Sequence, residues 1–162
     1  MTRHSRKRKD QGKARGIVLV LAFLALIQSI AAAGEPPVKV EQGWVRAMPP
    51  SSEDSAAYMT LTNNGDEPLR LTGAKTPIAG MVMPMVTTRE IIDGKEVMGM
   101  KGVDALVIAP HGQLVLGPEG DHLMLMELIS HLKAGELVKL TLHFEPGNKE
   151  LMIELPVALR KP

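Results

Sequence analysis

Gly120-Asp121-His122-Leu123-Met124-Leu125-Met126 reads as a strand in period two. His122, Met124 and Met126 project from one face, and Leu123 and Leu125 from the other. The Leu face is what a core requires. The other face sets an imidazole beside thioethers along a single line, and no helical period fits the run.

Working outward, the same pattern recurs. Gly117-Pro118-Glu119-Gly120 is the turn that delivers this strand, which extends over His122–Ile129. Before it, Leu106–Ile108 and Gln113–Leu116 flank the turn Ala109-Pro110-His111-Gly112. After it, Ala134-Gly135-Glu136 turns into Leu137–Phe144, and Pro146-Gly147-Asn148 turns into a last strand, Leu151–Leu159. Further upstream, Asp93-Gly94 is a strong hairpin signal, with Met81–Thr88 before it and Lys95–Met100 returning. Leu69–Ala74 and Ser55–Thr62 read as two earlier strands, the latter closed by Asn63-Asn64-Gly65-Asp66. The first strand starts at Val38, with Trp44, Arg46 and Met48 alternating against Val45 and Ala47 and a bulge expected near Gly43. Met48-Pro49-Pro50-Ser51-Ser52-Glu53-Asp54 is a loop. No stretch after residue 34 sustains a capped helical period. Short strands with turn signals at this spacing predict an all-β sandwich or barrel.

The chain opens differently. Residues 1–33 carry seven Lys/Arg and one acidic residue, Asp10. The basic stretch runs into an uncharged segment, Ile17 to Ala33, that ends in Ala31-Ala32-Ala33. Basic leader, short apolar centre and small-residue end make an export signal, with maturation expected near Gly34. The apolar centre falls short of the ~20 residues that span a bilayer; an uncleaved anchor is the alternative, and would be the chain's one link to a membrane. The expected organisation is a signal peptide over 1–33 and one β-domain over 34–162.

Composition excludes several functions. The chain has no Cys, which removes disulfides, zinc–thiolate and iron–sulfur sites, thiol nucleophiles, thiol–disulfide exchange and the Cys-ligated blue-copper centre. Residues 34–162 hold 12 Lys/Arg against 17 Asp/Glu, a net charge of −5. A mildly acidic body with no basic stripe is not a nucleic-acid binder. No carboxylate pair, Ser/His/Asp set or Gly-rich phosphate loop stands out, so no enzymatic reading is carried forward. Trp44 and Tyr58 read as packing, and His111, His131 and His143 as surface.

Methionine is the unusual feature. Seven of the ten Met after the leader fall in three blocks: Met81, Met83 and Met85; Met98 and Met100; Met124 and Met126. The Asp93-Gly94 hairpin brings the first two blocks together at its base, and the third carries His122. Thioether and imidazole donors suit Cu(I) over harder cations. The competing reading is a Met-rich core of an exported binding or assembly domain, since Met fills core gaps readily.

Here the sequence resembles the PCu(A)C family of exported copper chaperones. The resemblance runs over most of residues 38–157, through Gly43-Trp44-Val45-Arg46-Ala47, Ala56-Ala57-Tyr58-Met59-Thr60-Leu61-Thr62-Asn63, and His122-Leu123-Met124-Leu125-Met126 with Leu132-Lys133-Ala134-Gly135. The family pattern is a His or Met, ten residues, a Met, twenty-one residues, then His-x-Met. Twenty-one residues separate Met100 from His122-Leu123-Met124. The first position departs: with ten residues between, the position before Met100 is Arg89, which cannot bind Cu(I). Aligning Val82-Met83-Pro84-Met85-Val86-Thr87 with the family's usual Val-Glu-Leu-His-Glu-Thr puts Met85 in the His position. Fourteen residues then lie between Met85 and Met100, an excess of four. Two extra residues in each hairpin arm keep both Met on their faces. The resemblance thus implies Cu(I) ligands Met85, Met100, His122 and Met124, with Met83 as substitute for Met85. It also implies a cupredoxin-like, immunoglobulin-like β-sandwich in the periplasm or an equivalent extracytoplasmic space. The role would be copper homeostasis, either storage and resistance or delivery to a copper-accepting protein such as a cytochrome oxidase assembly component.

Overall fold

The structure, a computed structural model, describes residues 36–160. The chain divides into Met1–Ala32 and Ala33–Pro162, and all described residues belong to the second unit. The leader lies outside the described residues. Among those described, no helix is long and apolar enough to cross a membrane.

The described residues form ten strands. In order they are β1 (Val38–Arg46), β2 (Ser55–Asn63), β3 (Leu69–Lys75), β4 (Ala79–Ile92) and β5 (Lys95–Gly102). Then follow β6 (Leu106–Ile108), β7 (Gln113–Leu116), β8 (His122–Leu128), β9 (Leu137–Glu145) and β10 (Lys149–Ala158). Every strand expected from the sequence is present. The pairing order is β5-β4-β8-β2-β1-β10-β9-β3-β6, with β7 added to β2. A further bridge between Ala74 of β3 and Val82 of β4 closes the ladder on itself. The result is the predicted all-β sandwich.

Alternation builds the core. Ala57, Met59 and Leu61 of β2 and Leu123 and Leu125 of β8 point inward against Leu140, Leu142 and Phe144 of β9, all at 1% exposure or less. Each fully buried Leu or Phe contributes about 1.5–3 kcal/mol, so the inner face holds the sandwich together and leaves the outer face of β4 and β8 free for other work. The bulge expected near Gly43 is present as a register shift between Glu41 and Trp44, with Gln42 at φ 52°. A Cβ at Gly43 would run into the end of the Leu155 side chain, which packs over the bulge. Asp93 and Gly94, at φ 51° and 74°, make the two-residue turn that joins β4 to β5 and pairs Ile92 with Lys95.

β4 is longer than expected, because Arg89–Ile92 also pair with β5. That outer part of the hairpin is exposed on both faces, Ile91 at 80% and Val97 at 44%, so it carries no inside–outside alternation to read. His143 also differs from its expected surface position. It sits on β9 directly opposite Gly73 of β3, with Nε2 buried and Nδ1 3.3 Å from Glu150. It lines a cavity with Thr72, Gly73 and Ala74 of β3 and Val82 of β4, neighbours that the alternation of β9 alone does not show.

Candidate metal centre

Lateral pairing, not loop convergence, gathers the three Met blocks. β8 lies beside β4, and β4 beside β5. Their registers place Met81 opposite Met126, Met83 opposite Met124 and Met85 opposite His122. On the other side of β4, Met85 is opposite Gly102 and Thr87 opposite Met100. Directly opposed residues share a face, so Met83, Met85, Met100, His122 and Met124 all project from the outer face of one three-strand surface. Met85 and Met100 are offset by two positions, and their faces match as the even insertion requires.

None of the seven clustered Met is in the core. Met81, Met98 and Met100 are 51%, 54% and 62% exposed, and Met83, Met85, Met124 and Met126 are half-buried. The Met that fills the core is Met59, outside the three blocks. The reading of these blocks as core packing is therefore not what the structure shows.

His122 is the anchored member. It is 6% exposed although it points away from the core. Its Nδ1 lies 2.9 Å from the Gly120 carbonyl, which only accepts, so Nδ1 carries the proton and donates. The Nε2 lone pair is then the available donor, the arrangement by which a second group fixes a ligating His. The mount is itself braced. Thr87 Oγ1 donates to the same carbonyl at 2.8 Å, and the Thr87 N–H donates to Asp121 Oδ1 at 3.2 Å. The turn beneath closes through Gly120 N–H to Gly117 O at 3.1 Å and Gly117 N–H to Asp121 O at 2.8 Å. β4 and the His-bearing turn are thus tied together by hydrogen bonds.

Beside His122 runs a short aromatic line. The Tyr58 ring centre is 6.2 Å from that of His122, and Trp44 is 4.7 Å beyond Tyr58. Both aromatics are buried, as packing residues should be, yet Tyr58 also forms a wall of the site. A cavity of about 330 Å³ opens there, with Met48, Tyr58, Met100, His122 and Met124 among its lining. Met83 and Met85 do not line this cavity; they group over Gly102 of β5. Both of their sulfurs lie 3.7 Å from the point a Cβ on Gly102 would occupy, and the Met83 methyl lies 2.6 Å from it. Glycine at 102 makes room for two thioethers.

The donor set is soft. Among the described residues no three His, Cys, Asp or Glu side chains group as metal ligands. The arrangement offers thioethers and one imidazole nitrogen, the set that Cu(I) accepts and Mg(II) or Ca(II) does not. Thr87, Gly120, Tyr58 and Met48 are the site residues that sequence reasoning missed. Met48 alone carried a signal, its alternation with Trp44 and Arg46.

Residues 38–157 match the family model described as "Putative lipoprotein LpqE-like". The chain belongs to the LpqE-like family. Among its relatives is "Putative lipoprotein Lxx21020" of Leifsonia xyli subsp. xyli, 31% identical over 111 residues. That match covers 68% of this chain and 64% of the relative, so the LpqE-like chain spans somewhat less than two thirds of that relative's length. Among solved structures, the Cu(I) form of DR1885 from Deinococcus radiodurans is 39% identical, with a TM-score of 0.60 over 85% of this chain and 86% of that one. The copper-bound PCuAC domain from PmoF2 is 25% identical, with a TM-score of 0.62 over 80% of this chain and 97% of that domain. The LpqE-like family is of the PCuAC type, so the resemblance stated from the sequence holds.

Proposed function

We propose that this protein is an extracytoplasmic copper carrier that holds Cu(I) through Met85, Met100, His122 and Met124 and hands it to a copper-accepting protein, such as a cytochrome oxidase assembly component. The observation that carries the reading is one outer sheet face, clear of the core, on which three adjacent strands set thioethers around an imidazole whose Nδ1 is already engaged. Solved relatives of the same fold that are named as copper-bound support it. The role is carriage, not catalysis. Neutral thioethers bind without releasing protons, and a partner's ligands can replace them one at a time.

Selectivity tests the proposal. Cu(I), or Ag(I) as its closed-shell mimic, is expected to bind the full chain far more tightly than Zn(II), in competition with a Cu(I) chelator under reducing conditions. X-ray absorption of the loaded protein should show sulfur and nitrogen scatterers together. Preferential Zn(II) binding, or an oxygen-dominated shell, overturns the reading.

The relatives' names point to export, and the basic leader with Ala31-Ala32-Ala33 points the same way. A lipid thioether needs a cysteine sulfur, and these 162 residues contain none. Export is therefore proposed to proceed by cleavage near Gly34. The intact mass of the extracytoplasmic form checks this, and a product still beginning at Met1 would mean that the leader is retained as an anchor.

A further inference from the structure

We infer that Met48, on the loop after β1, is an additional and displaceable ligand of the copper centre. The inference rests on the Cu(I) reading above and adds to it a residue outside the family's four-residue pattern.

The cavity itself argues for it. Met48 lines the same space as Met100, His122 and Met124, so three thioethers and one imidazole already face one cavity before Met85 is counted. In the order β5-β4-β8-β2-β1, Met100 arrives from the β5 side and Met48 from the β1 side, with His122 and Met124 between them on β8. The two outer thioethers therefore bracket the two central donors.

Met48 is not explained by packing. It is half-buried and stands outside the hydrophobic cluster and the partly buried side chains packed on it. The loop is pinned just before it. Ser55 Oγ donates to the Arg46 carbonyl at 2.7 Å, and the Ala47 N–H donates to Ala158 O at 2.8 Å. Pro49 follows and confines the Met48 backbone to extended conformations. The backbone is thus held at the cavity rim, while three rotatable side-chain bonds leave the thioether free to swing. A ligand on such a mount can bind, let go and rebind while β4 and β8 stay fixed. Those are the properties of a donor that yields its place to an incoming ligand of the acceptor.

The test follows methionine methyls one by one. The full chain is labelled with [ε-¹³C]Met, assigned through single Met→Leu variants, and titrated with Ag(I). The Met48 methyl is expected to shift in step with those of Met100 and Met124 and to saturate with them. In parallel, Met48→Leu is expected to speed Cu(I) removal by a chelator about tenfold, within the range seen when a partner of a metal site is lost. Methyls of Met100 and Met124 that shift while Met48 stays still overturn the inference and leave the copper site standing. If no methionine methyl shifts, the copper reading itself fails.

Discussion

His122→Ala is expected to lower Cu(I) affinity by about a hundredfold or more, because losing even an outer partner of a ligating His typically costs about 10–100-fold. The fold should survive. His122 lies on the outer face of β8, while Leu123 and Leu125 hold the inner face at 0% exposure. Truncation removes a ring packed near Tyr58 and one hydrogen bond to Gly120 O, for a cost of about 1–3 kcal/mol. His122→Met separates donor chemistry from packing. It restores a soft donor in the same strand position, and so should recover much of the Cu(I) affinity that Ala loses. Chelator competition on both variants, with thermal unfolding of the metal-free proteins, is the measurement. Unchanged affinity in His122→Ala would remove the imidazole from the site.

The difference between what the chain reveals in one dimension and what it needs three for is clear in this region. The Asp93-Gly94 turn was legible because its two residues tolerate positive φ, as the structure has them. The inner and outer faces of β8 were legible because Leu and Met/His strictly alternate. Neither fact says which strand lies beside β8. Pairing of β8 with β4 joins residues some forty positions apart, and that choice sets Met85 against His122. No local signal encodes it. Met48 is a sharper case. Its alternation with Trp44 and Arg46 put it on one face of β1, but the cavity it lines also takes Met100 from β5 and His122 and Met124 from β8, far along the chain. His143 was misplaced for the same reason: its neighbours on β3 and β4 are invisible to a reading of β9 alone. The Met blocks themselves left two outcomes open, core or site, because periodicity fixes a face without saying whether that face is inside. Burial decided it.

The choice between Met85 and Met83 is where register makes its strongest demand. Both are half-buried on one face of β4, about 6.5–7 Å apart along it, with both sulfurs 3.7 Å from the same point over Gly102. Met85 stands directly across from His122, while Met83 faces Met124 and folds its methyl over Gly102. A thioether opposite the imidazole needs the least movement to share a metal with it, and Pro84 between the two stiffens the strand against sliding. Met85→Leu keeps similar volume, normally a change under about 1.5 kcal/mol, and removes only the sulfur. It is therefore expected to weaken Cu(I) binding by about 10–100-fold with little loss of thermal stability, whereas Met83→Leu should leave affinity nearly intact. Chelator competition and thermal melts on the two variants decide the matter. If Met83→Leu carries the loss instead, Met83 is the ligand and the alignment of Val82–Thr87 is wrong. Two variants that keep Cu(I) affinity but melt early would make both side chains packing for β5, and Met48 would then be the thioether that completes the shell.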